Sequence, residues 1–271
     1  MKNVILNERE ILDKALNGEM EEKESDTIGV LIRHYFSLGY DKSEVYNLLN
    51  EYLLKYKPKY NSDSEYKSLN SFISNIYKGG RFNLVNIKSI PITKNEWEII
   101  SNIKDEKTAR VAFILLVYIK IENKKRLNPS NHIVLNLGYI LKEASIVGSK
   151  NNNMDLFANL VELDLITVKR LGENKKKGMS LVEIKFIDHN NRDIVKNIEV
   201  FNKVITYFYE LYKGWKYKIC GECGTRFKVA KTGRPPKYCK ACAYDKKKIS
   251  IAKSNKNRRD GNGSIQDKKH G

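Results

Sequence analysis

The sequence predicts a mainly α chain with small β elements, an α+β class built in three parts. Three observations carry this. Apolar residues recur at three- and four-residue spacing over residues 8–78. Helical and strand patterns then alternate over residues 93–187. All four cysteines of the 271-residue chain fall within Cys220–Cys242.

The first part, residues 1–78, reads as a helical domain. Glu8–Leu16, Asp26–Leu38, Ser43–Tyr56 and Ser64–Tyr77 each carry an apolar stripe. Gly39 supplies a stop after the second stripe and Pro58 one after the third. The string TIGVLIRHYFSLGYDKSEVYNLLNEYLLKY resembles the small helical domain found behind some primase catalytic domains. It carries no catalytic motif, and its balanced charge points to packing or protein contact. Residues 79–92, GGRFNLVNIKSIPI, read as a linker.

The middle part, residues 93–199, opens on Thr93-Lys-Asn-Glu96, a capping box ahead of Trp97, Ile99, Ile100 and Ile103. A largely buried helix is expected from about Asp105 to Glu122. A short strand at His132–Asn136 follows, then a helix over Leu137–Ala144 and another ending at Leu163. Two strands, Leu165–Arg170 and Leu181–Ile187, flank the loop Gly172–Gly178. This order resembles the winged-helix fold, a helix-turn-helix with a β-wing. In that family the third helix usually enters the major groove. Here that helix is NNNMDLFANLVELD, with Asp155, Glu162 and Asp164 and no Arg or Lys inside it. The resemblance therefore implies DNA contact or protein docking equally. The wing tip, Lys175-Lys176-Lys177, suits a phosphate or minor-groove contact.

Residues 200–215 read as a connecting helix, 216–253 as a metal module and 254–271 as a disordered basic tail. Cys220-x2-Cys223, a fifteen-residue loop and Cys239-x2-Cys242 match the spacing of a structural zinc site. Each pair clamps one side of a tetrahedral ion, and four thiolates leave no open position for a water. The expected cofactor is one structural Zn2+. A redox dithiol would need a thioredoxin-like βαβ context, which is absent. Gly221 and Gly224 supply tight turns; Thr225, Phe227 and Val229 alternate like a strand. The module resembles zinc-ribbon and treble-clef units, and a helix after Cys242 favours the treble-clef form.

The net charge is +18, and its distribution is uneven. Residues 1–90 are neutral, while residues 200–271 hold 19 basic against 5 acidic side chains. Lys, Asn, Ile and Tyr make up 111 residues, the codon signature of a low-GC genome, which would raise lysine everywhere. A bias of that origin does not explain a local excess. A local basic region beside a metal motif is the footprint of a polyanion binder. The candidate phosphate contacts there are Lys216, Lys218, Arg226, Lys228, Lys231, Arg234, Lys237 and Lys240, then Lys246, Lys247 and Lys248. Tyr217, Phe227 and Tyr238 lie among them and offer rings to bases or a small core.

No apolar run approaches the ~20 residues that span a bilayer, and the start does not read as a signal peptide. A cytoplasmic protein without a membrane role is expected. Nucleotide-binding, HExxH and G-x-S-x-G motifs are absent. Asp188-His189-Asn190 superficially suits a metal nuclease but falls where a turn between strands belongs. The combination of helical domain, winged helix and four-cysteine module resembles small DNA-transaction proteins of phages and mobile elements from low-GC bacteria, and that resemblance implies a non-enzymatic, zinc-containing nucleic-acid-binding protein. It would act in replication or transcription control, on DNA in preference to RNA. The alternatives are a protein-binding adaptor or inhibitor docking through its basic end, and last a metal-dependent nuclease. A protein partner would sit on the winged helix or the helical domain.

Overall fold

The computed structural model describes residues 7–148, 150–170, 179–190, 192–230 and 232–266. Four helices come first: α1 (Glu8–Leu16), α2 (Glu24–Ser37), α3 (Lys42–Tyr56) and α4 (Ser62–Gly79). Their apolar stripes meet in a core of their own, where Leu31, Ile32, Val45, Leu49, Leu53 and Ile73 are sealed from solvent. Local chemistry sets the ends. Asp41 and Glu44 close a reciprocal capping box at the start of α3. Gly39, at φ +92°, takes the left-handed turn that a side chain would resist.

The second core is built from β1 (Ile90–Thr93), α5 (Lys94–Ser101), α6 (Glu106–Lys125), β2 (His132–Leu135), α7 (Leu137–Glu143), α8 (Lys150–Glu162), β3 (Ile166–Arg170), β4 (Ser180–Ile184), β5 (Ile194–Ile198) and α9 (Ile205–Lys213). Helix α6 is its axle. Every residue from Val111 to Ile121 is buried, as befits a helix that is apolar nearly all round. Strands β2, β4 and β3 form an antiparallel sheet in the order β2-β4-β3. Period-two alternation puts Ile133 and Leu135 of β2, and Val182 and Ile184 of β4, on the core face.

Residues 79–92 differ from the linker expected of them. Ile87, Ile90 and Ile92 are buried, and β1 pairs antiparallel with β5, Ile90 facing Ile198. The partner strand lies beyond the whole middle region, so no local pattern announces it, and Pro91 weakens any strand reading. Proline is tolerated because β1 is an edge strand. The same segment joins the two cores. The Glu8 carboxylate, 4% exposed, accepts hydrogen bonds from Arg33 (2.9 Å), Arg81 (2.9 Å) and the Val85 amide (2.8 Å). Arg81 also donates to the Lys125 carbonyl at the end of α6 (2.6 Å).

A second buried pair braces the core. Glu96 completes a capping box with Thr93 at the start of α5 and accepts from Lys120 at 2.7 Å and from the Asp188 amide at 2.9 Å. Burial pushes the Lys120 ammonium below its ordinary pKa, against the opposing pull of Glu96.

The C-terminal part is a hairpin, β6 (Tyr217–Ile219) with β7 (Arg226–Lys228), followed by the long helix α10 (Lys240–Gln266). The sequence predicts a disordered tail over residues 254–271; α10 runs on through Gln266, and residues 267–271 lie outside the described residues. Nucleation is the costly step of helix formation and extension is cheap, so a first turn pinned at Cys239 and Cys242 lets the polar residues beyond it follow. Among the described residues, no helix is long and apolar enough to cross a membrane.

Candidate metal centre

The hairpin and the first turn of α10 deliver the four cysteines to one point. Cys220 follows β6, and the chain reverses at Gly224, whose φ of +65° needs no Cβ. The Gly224 amide donates back to the Cys220 carbonyl at 3.0 Å, closing the knuckle. Cys239 immediately precedes α10, and Cys242 sits in its first turn. The Gly221 amide reaches the Lys237 carbonyl at 3.2 Å and so ties the second pair to the first.

The four Sγ atoms all lie within 4.8 Å of one another. Cys223 and Cys239 are 3.8 Å apart, sulfur to sulfur, and all four thiols are free. A disulfide would hold its sulfurs at about 2.0 Å. Four thiolates around one tetrahedral ion, each at about 2.3 Å, stand about 3.8 Å apart. The donor set therefore fits a metal ion. Cys220 is 2% exposed, Cys239 and Cys242 are half-buried, and Cys223 faces solvent.

The polypeptide also prepares the thiolates. Backbone N–H groups of Cys223 and Cys239 hold the Cys220 thiol down at about 6; the Cys239 amide lies 3.3 Å from its sulfur. Hydrogen bonding from Thr225, hydroxyl first, lowers Cys223. Hydrogen bonds with Cys223 and Cys239 push Cys242 up. Amides aimed at sulfur stabilise the thiolate and orient it, as in structural metal sites.

The expected phosphate contacts separate into groups. Lys216 and Lys218 on the hairpin, Arg234 and Lys237 in the loop, and Lys240, Lys247 and Lys248 on α10 are exposed. Lys228 is exposed too, but its Nζ lies 3.2 Å above the Trp215 ring. Lys246 pairs with Glu222 at 2.8 Å. Lys175, Lys176, Lys177 and Lys231 lie outside the described residues.

Arg226 departs furthest from expectation. It is 6% exposed and donates to Thr206 Oγ1 (3.0 Å) and to Glu210. Its guanidinium lies 3.5 Å above the Tyr207 ring. Strand alternation explains this. Arg226 sits between Thr225 and Phe227 and so points to the opposite face of the hairpin, the face that meets α9. Burial works to raise the Glu210 carboxyl, and hydrogen bonds from Lys196 and Arg226 outweigh it and hold it below the ordinary range. Arg226 is thus the clamp that docks the metal module on α9, with Asn202 bonded to Thr225 at 3.0 Å beside it.

Sequence reasoning missed Thr206, Tyr207, Glu210 and Glu222. Their signal is scarcity. Acids are few in this basic quarter, and both Glu210 and Glu222 are consumed in internal pairs. Asp188 and His189 lie in the irregular stretch after β4. There the Asp188 carboxylate accepts from the Asn190 amide (2.9 Å), and the His189 ring meets Asn131 (2.8 Å).

No protein-family model, curated protein or solved structure matches the chain.

Proposed function

We propose that this is a non-enzymatic, zinc-containing nucleic-acid-binding protein, acting on DNA in a replication or transcription transaction of a phage or mobile element. The observation that carries the reading is the conjunction at the C-terminal end. A four-thiol group of tetrahedral spacing holds together a hairpin and a helix whose exposed cations have few acids to answer them. Zinc suits four thiolates at C-x2-C spacing in a closed tetrahedral set, and it would supply the folding energy that so small and charged a module lacks. A hairpin leading into a helix that carries the last ligand supports the treble-clef form. The order α6, β2, α7, α8, β3, β4, with the sheet running β2-β4-β3, supports the winged-helix reading of the middle part. Lysines neutralise phosphates and release counterions, so affinity is electrostatic and salt-dependent.

The test is a salt-titrated anisotropy assay of the full-length zinc-loaded protein on duplex DNA, single-stranded DNA and RNA, repeated after chelation. Binding that is steep in salt and lost with the metal supports the reading. No binding of any polymer near physiological salt overturns it.

One observation favours a second reading, a protein-binding adaptor. A groove of about 560 Å³ runs between β5 and β6, with Ile194, Val195 and Ile219 exposed along it. Adaptor binding would survive salt that strips a polyanion.

A further inference from the structure

We propose that α10 is a groove-reading helix and that its ligand is a B-form DNA duplex; this rests on the nucleic-acid reading and names the polymer and the element. The helix leaves the metal centre and stands clear of the body. Every residue from Lys247 to Asn257 is exposed. From Lys240 to Asn257 it spans about 27 Å at the α-helical rise. Over that length Lys240, Lys246, Lys247, Lys248, Lys253 and Lys256 face Asp245 alone.

One side of the helix is free of the module. At 3.6 residues per turn, Lys240, Tyr244, Lys247, Lys248, Ile251 and Asn255 share one side. Cys242 and Lys246 lie on the opposite side, where Cys242 joins the thiol group and Lys246 pairs with Glu222; the exposed Ile249, Lys253 and Lys256 continue that side beyond the module. The first side is therefore turned away from the module. It presents two large apolar side chains to water, Tyr244 at 59% and Ile251 at 50% exposed, flanked by unpaired-sign charge. Lys248 stands 4.7 Å above the Tyr244 ring. Internal packing explains neither the exposed apolar groups nor the cations beside them.

Duplex DNA answers both. Its major groove, about 12 Å wide, admits one α-helix with side chains. Lysines at the edges of the helix meet the two phosphate walls, while Tyr244, Ile251 and the Asn255 amide face base edges. The deep, narrow major groove of A-form RNA does not admit a helix, and a single strand has no groove. The charge complements a polyanion, and the shape selects among polyanions.

The experiment uses the full-length zinc-loaded protein and three probes: a DNA duplex, the RNA duplex of the same sequence and one DNA strand. Two double variants are compared. Tyr244→Ala/Ile251→Ala removes the apolar contacts at constant charge, and Lys216→Glu/Lys218→Glu alters the hairpin. All four positions are solvent-facing, and zinc content with circular dichroism checks that each variant folds. The proposal expects the DNA duplex to bind at least about tenfold tighter than the other probes. It expects the α10 variant to lose that preference, and a major-groove dye to displace the protein where a minor-groove drug does not. Equal binding of all probes, or an α10 variant that binds like wild type, overturns the groove reading and leaves the nucleic-acid reading standing; a preference for RNA overturns the groove reading together with DNA as the polymer. Failure of every probe to bind sinks both.

Discussion

Cys239 and Arg226 show how differently single side chains hold the same module. Cys239 contributes one of four thiols, and no apolar core stands behind it to compensate. Cys239→Ser is expected to abolish stoichiometric zinc and to expose residues 216–253 to protease while both helical cores stay protected. Retention of one zinc per chain would remove the four-thiolate assignment. Arg226 holds the module to the body. Its planar fork reaches Thr206 and Glu210 together while lying on Tyr207. A lysine cannot reproduce that geometry. Arg226→Lys is therefore expected to cost about 2 kcal/mol in urea unfolding, close to the cost of Arg226→Ala, with zinc content unchanged. Full stability in the lysine variant would show that charge alone docks the module. The cysteines were legible because metal spacing is a local pattern. Arg226 was not, because its role depends on which face of a three-residue strand meets α9.

Elements divide along the same line. The helices of the N-terminal part and the run from α6 to β4 were readable from periodicity and caps, since those signals lie within each segment. Strands β1 and β5 were not, because each is defined by a partner distant in sequence, and one contains Pro91. Helix α6 offers a direct test of an N-terminal cap. Asp105 accepts from the Thr108 hydroxyl (2.6 Å) and amide (2.8 Å) and from the Lys107 amide (3.4 Å). Burial works to raise its carboxyl, and these hydrogen bonds, led by the Thr108 hydroxyl, outweigh it and lower the pKa. A carboxylate with a lowered folded pKa stabilises the protein above its unfolded pKa of about 4 and ceases to do so as pH falls through the folded value. Wild type is thus expected to exceed Asp105→Asn by about 1 kcal/mol at neutral pH, with the gap closing in acid. A gap that persists unchanged in acid would show that the charge is irrelevant to the cap.

At the scale of the molecule, the Glu8 carboxylate sits at the junction of the two cores. Glu8 satisfies Arg33, Arg81 and the Val85 amide at once, and its removal strands two half-buried guanidiniums. Glu8→Ala is expected to split a single thermal transition into two, the N-terminal helices melting first. One undivided transition at lowered temperature would mean that apolar contact, not the carboxylate, couples the cores. The charge asymmetry along the chain was legible in the sequence. The division of those lysines between surface and internal use became visible only with the fold.

The Arg226 clamp has a mechanical consequence. Phe208 anchors α9 in the core, stacked on Tyr212 and edge-on to Trp97 and Phe113. Arg226 fixes the hairpin to α9, Trp215 stacks on Tyr209 across the Gly214 turn, and the cysteine group fixes α10 to the hairpin. Force applied along the projecting helix is carried through this chain of joints into the body. The molecule has the build of a shelf bracket, an arm carried on its mount through a short series of joints. A load on the arm would pass first through the cysteine group and only then through Arg226 to α9.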